Sequence, residues 1–398
     1  LREADSIDRG REQGAVSGLA AGVTISVKDC IDVAGTPCTN GSTFFADYVP
    51  ENDALVVQRL RQAGAVILGK TNLHEFAYGS TTQNPHYGST RNPWDLDRIP
   101  SGSSGGAGAS VAAQMCVGAV GSDTGGSVRT PAAINGVSGL RPSMGSIPMT
   151  GSFTRICPAI DTVGPLGESV EIVARLFAVM AGYADDDLYS VRIDQPDFLG
   201  SLDNGLKGIR IGLPQRFFLE DLEEGVGSAV EASAQRLAAL GADIVEIELE
   251  GAEYAQQSVM PMVWADAYEY HRERVESASE KFGRDVLDRI LLGRDIAGCD
   301  YAAALRARER WNRTVDRTLE QVDVILTPTT PITAPLVEES SDMLSTTHHL
   351  TRFTYLFSWA GLPGLSVPCG FTSAGMPIGM LLNGRPWEAT LLFPICHS

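Results

Sequence analysis

The sequence is poorest in the features that would tie it to a membrane, a metal ion or a nucleic acid. No run approaches 18 consecutive apolar residues, so no membrane span is expected. The opening LREADSIDRGREQG has neither an apolar signal core nor an initiating methionine, and it reads as a trimmed or mature fragment. Six histidines (74, 86, 271, 348, 349 and 397) form no H-x-x-x-H ladder, which leaves no basis for a catalytic metal. Seven cysteines (30, 38, 116, 157, 299, 369 and 396) are scattered, odd in number and without a C-x-x-C pair. Neither a disulfide framework nor a structural zinc site is indicated, and a reducing, cytoplasmic setting fits best. Basic residues are outnumbered 31 to 49 by acidic ones, for a net charge of −18. Nucleic acid is therefore not an expected partner, and the acid clusters at 185–187, 220–224 and 246–253 read as solvated faces. No internal repeat or low-complexity linker breaks the chain.

What is present is an α/β rhythm. VTISV, a helix after Asn52-Asp53 with Ala54, Val57, Leu60 and Ala63 on one face, and AVILG follow one another over residues 22–70. A helix at 168–181, a strand at 208–213, a helix at 227–240, a strand at 242–249 and the strand VDVILTP at 322–328 continue it. Residues 253–320 are mostly helical. Their aromatics (Tyr254, Trp264, Tyr268, Tyr270, Phe282, Tyr301, Trp311) are expected to serve packing more than a substrate wall. Residues 95–165 differ, because Gly, Ser, Thr and Pro crowd a stretch too long for an ordinary connection, and such loops tend to carry function.

Within that stretch, PSGSSGGAGASVAAQMCVGAVGSDTGGSVRTPAA (100–133) sets two Gly/Ser turns around a short apolar segment. Glycines let backbone amides point together, so the N–H groups of Thr124 to Ser127 are candidates for an oxyanion site beside Ser127. A phosphate loop is not indicated, since G-x-x-x-x-G-K-[ST] is absent. Gly102 to Gly106 also spells G-x-S-x-G with Ser104 at its centre. That elbow needs a buried strand just before it, and NPWDLDRIPS is polar and broken by proline, so Ser104 reads as a decoy.

The 100–133 segment resembles the signature of the amidase-signature family. GVTISVKD (22–29) is similar to the family's lysine strand, 52–80 to its following helix and strand, and IDTVGPL, LTPTTP and GLPGLSVPCGF to its later core segments. The resemblance implies a single α/β/α domain over 1–398 with a large mixed twisted sheet flanked by helices. Its core would be 22–182 and 322–392, with a variable, more helical region at about 250–320. It implies Lys28 as base, Ser103 as a bridging serine with a cis peptide bond, and Ser127 as nucleophile. Thr124, Gly125, Gly126 and Ser127 would supply oxyanion amides, and Asp123 and Arg129 would hold the loops. No cofactor is needed.

That chemistry makes one physical demand: Lys28 must be neutral to receive a proton, which requires burial. Ile25 and Val27 suggest a core strand, against the alternative of a surface lysine paired with Asp29. The expected substrate is a small-molecule amide, ester or carbamate, hydrophobic or aryl, since no charged clamp is evident. The protein is expected to act alone or as a homodimer. The alternative within the family is the partner-dependent, glutamine-hydrolysing A subunit of a tRNA-dependent amidotransferase. Against it stands Thr351, where such subunits carry an acidic residue for glutamine. An esterase using Ser104 and a non-catalytic binding module are the readings from other classes. At the end of the chain, Pro394 is expected to interrupt a terminal helix and leave apolar surface exposed.

Overall fold

The computed structural model describes residues 2–14, 18–152, 156–193 and 196–398. Its strands in chain order are β1 (Thr24–Lys28), β2 (Val66–Thr71), the small hairpin β3 (Gln83–Asn84) and β4 (Gly88–Ser89), β5 (Gly118–Asp123), β6 (Ser138–Arg141), β7 (Thr162–Gly167), β8 (Arg210–Pro214), β9 (Asp243–Ile247), β10 (Val324–Pro328), β11 (Gly364–Phe371) and β12 (Pro377–Gly384). Ten of them form one sheet in the order β2-β1-β5-β7-β6-β11-β12-β10-β8-β9. β1 runs parallel to β2 and β5, and β8 parallel to β9 and β10, while the six strands from β5 through β7, β6, β11 and β12 to β10 pair antiparallel at each step. The expected large mixed sheet flanked by helices is what forms.

Apolar runs become central strands because helices cover both faces of such a sheet. In β1 the residues Ile25, Val27 and Lys28 are all fully buried. The helix Leu55–Gln62 buries Val56, Val57 and Leu60 and carries the chain from β1 to parallel β2. Val170–Met180 starts at Ser169, whose side chain accepts the Ile172 amide, and it buries Val173, Leu176 and Phe177. The region expected to be helical supplies Ala252–Ala278, Arg284–Leu291 and Gly298–Gln321. Of its aromatics, Trp311 and Phe282 are core and Tyr254 is exposed.

The end of the chain corrects its expectation. A short helix, Leu392–His397, forms with Pro394 inside its first turn, where the missing N–H costs no intrahelical bond. Leu392, Phe393 and Ile395 are buried, and the Phe393 ring lies 5.9 Å from that of Phe198, so this segment closes core surface instead of exposing it.

Candidate active site

Three elements converge at the carboxyl ends of β1 and β5. β1 ends in Lys28, and β5 ends in Asp123 and feeds the 124–128 turn. The loop 100–104 enters the helix Gly105–Ala112, whose glycine- and alanine-rich sequence lets it lie close against β1 and β5. A Cβ on Gly106, for instance, would run into the Asn72 backbone. The loop is tied to both neighbours: the Ser103 carbonyl accepts the His74 amide (3.2 Å), and the Ser104 amide donates to the Ser127 carbonyl (3.2 Å).

Lys28 is fully buried and donates from Nζ to Ser103 Oγ at 2.7 Å and to Ser122 Oγ at 2.8 Å. The alternative surface pairing with Asp29 does not form; Asp29 takes Lys70 instead, at 2.8 Å. Burial lowers the Lys28 pKa from 10.5 to about 8, against opposing pulls from Cys30, Asp123 and Asp161. About a tenth of the amine is thus neutral at pH 7, and half at pH 8. A neutral amine keeps a lone pair, and the Ser103 hydroxyl can turn to donate to it across the same 2.7 Å. The Gly102–Ser103 peptide is cis, as the resemblance implies. Ser104 is no exposed elbow: it is buried, and its hydroxyl donates to the Ser122 carbonyl.

Asp123 organises the turn. Its carboxylate accepts the amides of Gly126 (2.8 Å) and Val128 (3.0 Å) and both Nε and Nη2 of Arg129 (3.0 and 2.9 Å), with Arg141 at 3.7 Å. Burial alone would raise its pKa, but Arg129, Arg141 and these hydrogen bonds hold it at about 2. Arg129 continues to the Thr354 carbonyl and Ser358 Oγ, which locks the turn to the helix Thr354–Trp359. One expectation is corrected here. The Gly126 amide is spent on Asp123, so it cannot face an oxyanion; Gly126 instead supplies the positive φ of 143° that the turn needs. The amides of Gly125 and Ser127 have no acceptor among the described residues. Gly125 must lack a side chain, because a Cβ there would run into the Tyr355 ring.

Sequence reasoning missed several participants. Ser122, the second acceptor of Lys28, lies inside the quoted segment without a recognisable signal. Asp161 accepts Thr124 Oγ1 at 2.6 Å and the amides of Ile156 and Cys157, which props the 124–128 turn from behind. Ser127 opens onto a narrow cavity with room for about one water, lined also by Tyr78, Trp264, Thr351, Tyr355 and Arg289. Arg289 overturns the expectation of a pocket without a charged clamp. It sits on Arg284–Leu291, is 3% exposed, and is held by Asp285 (3.7 Å) and by the carbonyl of Tyr78. Asp285 is fixed in turn by His74 at 2.8 Å. Thr351 does reach the cavity, and no Asp or Glu lines it among the described residues.

A buried lysine on β1, serines on two glycine-rich turns and free amides beside one of them fit a hydrolase of carbon–nitrogen bonds. The comparisons agree: the family model Amidase matches residues 1–393, and the chain belongs to the amidase family. It is 38% identical to the A subunit of glutamyl-tRNA(Gln) amidotransferase from Carboxydothermus hydrogenoformans, over 100% of this chain and 87% of that protein. Among solved structures it superimposes with a TM-score of 0.93 and 33% identity on a chain of a vestigial protein complex tied to the origins of an s-triazine catabolic enzyme, covering 100% of this chain and 87% of that one. A peptide amidase solved with chymostatin gives 0.86 at 30% identity, covering 100% and 86%. No described helix is long and apolar enough to cross a membrane.

Proposed function

We propose that this chain, acting as one catalytic unit, is an amidase of the amidotransferase type that releases ammonia from a small, carboxylate-bearing primary amide. Ser127 is its nucleophile and Lys28 its base. In this reading Ser127 Oγ attacks the amide carbon while its proton passes to Ser103 and the Ser103 proton passes to Lys28 Nζ. The carbonyl oxygen gains charge against the amides of Gly125 and Ser127, with Thr124 completing the turn. When the C–N bond breaks, the proton on Lys28 returns through Ser103 to the departing nitrogen. An acyl ester stays on Ser127, and water activated by the reverse relay hydrolyses it.

The observation that carries the substrate class is Arg289, a buried guanidinium on the cavity that holds Ser127. A guanidinium fork matches a carboxylate, and a pocket built around it disfavours the aryl or hydrophobic amides and the carbamates that the sequence suggested. Similarity to the glutamyl-tRNA(Gln) amidotransferases supports glutamine as the first member of the class to test, and further subunits within the working assembly.

The test is ammonia release from L-glutamine, from 4-carbamoylbutanoate and from butanamide, by wild type and Ser127→Ala, each assayed by itself and with co-purifying subunits. Turnover of a carboxylate-bearing amide that is lost in Ser127→Ala and weakened at least ten-fold in KM by Arg289→Met is the expected result. Preference for butanamide over both carboxylates would defeat the reading.

A further inference from the structure

Three buried polar groups on the Ser127 cavity have no partner of their own. The Tyr78 hydroxyl, on a residue 4% exposed, accepts from and donates to nothing among the described residues. The same holds for Trp264 Nε1 and Arg289 Nε. They come from three separate elements: the segment after β2, the helix Ala252–Ala278 and the helix Arg284–Leu291. All three residues line the one cavity. Buried polar groups are almost always satisfied, so three orphans on residues that line one small space point to a ligand that satisfies them.

Their chemistry is one-sided. Indole N–H and guanidinium N–H can only donate, and a phenol beside a guanidinium serves best as a donor too. Tyr78 lies beside that charge, with the Arg289 guanidinium carbon 5.2 Å from its ring centroid. The neutral side chains here offer hydrogen-bond acceptors but no counter-charge for a cation: His348 is kept below its ordinary pKa by burial and by Arg289, and Thr351 carries only a hydroxyl. An ammonium placed in this cavity would face Arg289 with no carboxylate opposite.

We infer that Tyr78 and Trp264 join Arg289 as a donor-only clamp, and that the substrate is an amide bearing a carboxylate and no ammonium group. The inference rests on the reading of Arg289 above and narrows it. Within that class 4-carbamoylbutanoate carries the matching charge, whereas glutamine, which differs from it only by the α-ammonium, is penalised. Tyr78 and Trp264 then set specificity and take no part in bond breaking.

The experiment compares kcat/KM for 4-carbamoylbutanoate, L-glutamine and butanamide in wild type, Tyr78→Phe, Trp264→Phe and Arg289→Met. Wild type is expected to favour 4-carbamoylbutanoate over glutamine by at least about ten-fold. Tyr78→Phe, which removes one oxygen and keeps the ring, is expected to lower the ratio of 4-carbamoylbutanoate to butanamide by about ten-fold, mainly through KM. Calorimetric binding of the two acids to the Ser127→Ala protein supplies the same comparison without turnover. Equal or better use of glutamine overturns the inference, as does a Tyr78→Phe ratio unchanged from wild type. If Arg289→Met also leaves the ratio unchanged, the carboxylate reading itself fails. If Arg289→Met collapses the ratio and Tyr78→Phe does not, only the donor clamp is refuted.

Discussion

Replacing Lys28 by methionine should stop catalysis and, at neutral pH, change stability in a direction that a merely structural lysine would not. The amine sits fully buried with its pKa lowered from 10.5 to about 8, principally by burial. At about 1.4 kcal/mol per pH unit, that fall corresponds to a penalty of about 3 kcal/mol for holding the charged form in the folded state. The sign follows from proton counting. Below pH 8 both folded and unfolded chains bind the proton, and the penalty is fully present. Between pH 8 and 10.5 the unfolded chain binds more protons than the folded one, so stability rises with pH and the penalty is relieved. Methionine has a similar stem and no charge, so it removes the penalty at all pH values. The loss of the two hydrogen bonds to Ser103 and Ser122, worth roughly 1 kcal/mol each, offsets part of the gain. The variant is therefore expected to match or exceed wild type by up to about 2 kcal/mol at pH 7. Wild type should gain about 3 kcal/mol on the variant as pH rises from 7 to 10.5.

The assay is urea unfolding of both proteins at pH 7, 8, 9 and 10, with kcat/KM for the wild type on one primary amide over the same range. The rate should climb about ten-fold between pH 7 and 9 with a midpoint near 8, since only about a tenth of an amine with that pKa is neutral at pH 7. Parallel stability curves would show that Lys28 titrates alike in both states and cannot be the base. A flat rate profile across the same window would lead to the same conclusion from the kinetic side.

Ser127→Ala should lower kcat by about 10⁴-fold or more with the fold intact, whereas Ser104→Ala, which loses two internal hydrogen bonds to the Ser122 backbone, should keep most activity; equal losses in an amide turnover assay would restore the elbow serine as a rival. Asp123→Asn is expected to cost about 3 to 5 kcal/mol in urea unfolding, because it leaves Arg129 and Arg141 buried without their counter-charge. Its lowered carboxylate pKa adds a pH signature: wild type should hold a contribution of about 2 kcal/mol above pH 4 and lose it as pH falls through about 2, and the asparagine variant should lack that slope. Gly125→Ala drives a methyl group into the Tyr355 ring and should reduce kcat by about 10²-fold through displacement of the oxyanion amides; a wild-type kcat would refute their placement.

The framework proposed for catalysis was legible chiefly through the resemblance of several ordered segments to the amidase-signature family, and less through local rules. Ile25 and Val27 precede Lys28 in a strand pattern that suggests burial but leaves a surface pairing with Asp29 open, and either Gly/Ser turn taken alone reads equally as a flexible connection. The alternation of apolar segments from 22 to 70 announced β1, the crossover helix and β2. What could not be read were partners that meet only in three dimensions. Asp161 is 37 residues from the Thr124 it supports, and nothing in the sequence separates it from the many acidic residues that face solvent. The oxyanion assignment failed at one position for a related reason: four consecutive amides look equivalent in sequence, and only the carboxylate of Asp123 decides that Gly126 turns inward while Gly125 and Ser127 stay free.

The substrate pocket shows the limit most sharply, and its error is instructive. The aromatics of 253–320 read in the sequence as packing with an apolar bias towards the substrate; Phe282 and Trp311 are core, while Trp264 packs against the core and also lines the Ser127 cavity. Arg289 carries only a weak signal, an acid four residues earlier on an amphipathic helix, and that is the pattern of an ordinary surface ion pair. What converts the pair into a clamp is the neighbouring chain. His74 fixes Asp285 at 2.8 Å, and Glu75 accepts the Gly283 amide at 2.7 Å, so residues before β3 pin the start of the helix that bears Arg289. In the proposed reading, specificity is set by the docking of two segments more than 200 residues apart in sequence, each ordinary by itself. It follows that loosening this docking, for example by Glu75→Gln, should raise KM for carboxylate-bearing amides more than it lowers kcat, because the Glu75 carboxylate bonds Ser42, His86 and the Gly283 amide and none of Lys28, Ser103 and Ser127. An equal fall in kcat with KM unchanged would place His74 and Glu75 in support of the reacting groups instead of the clamp.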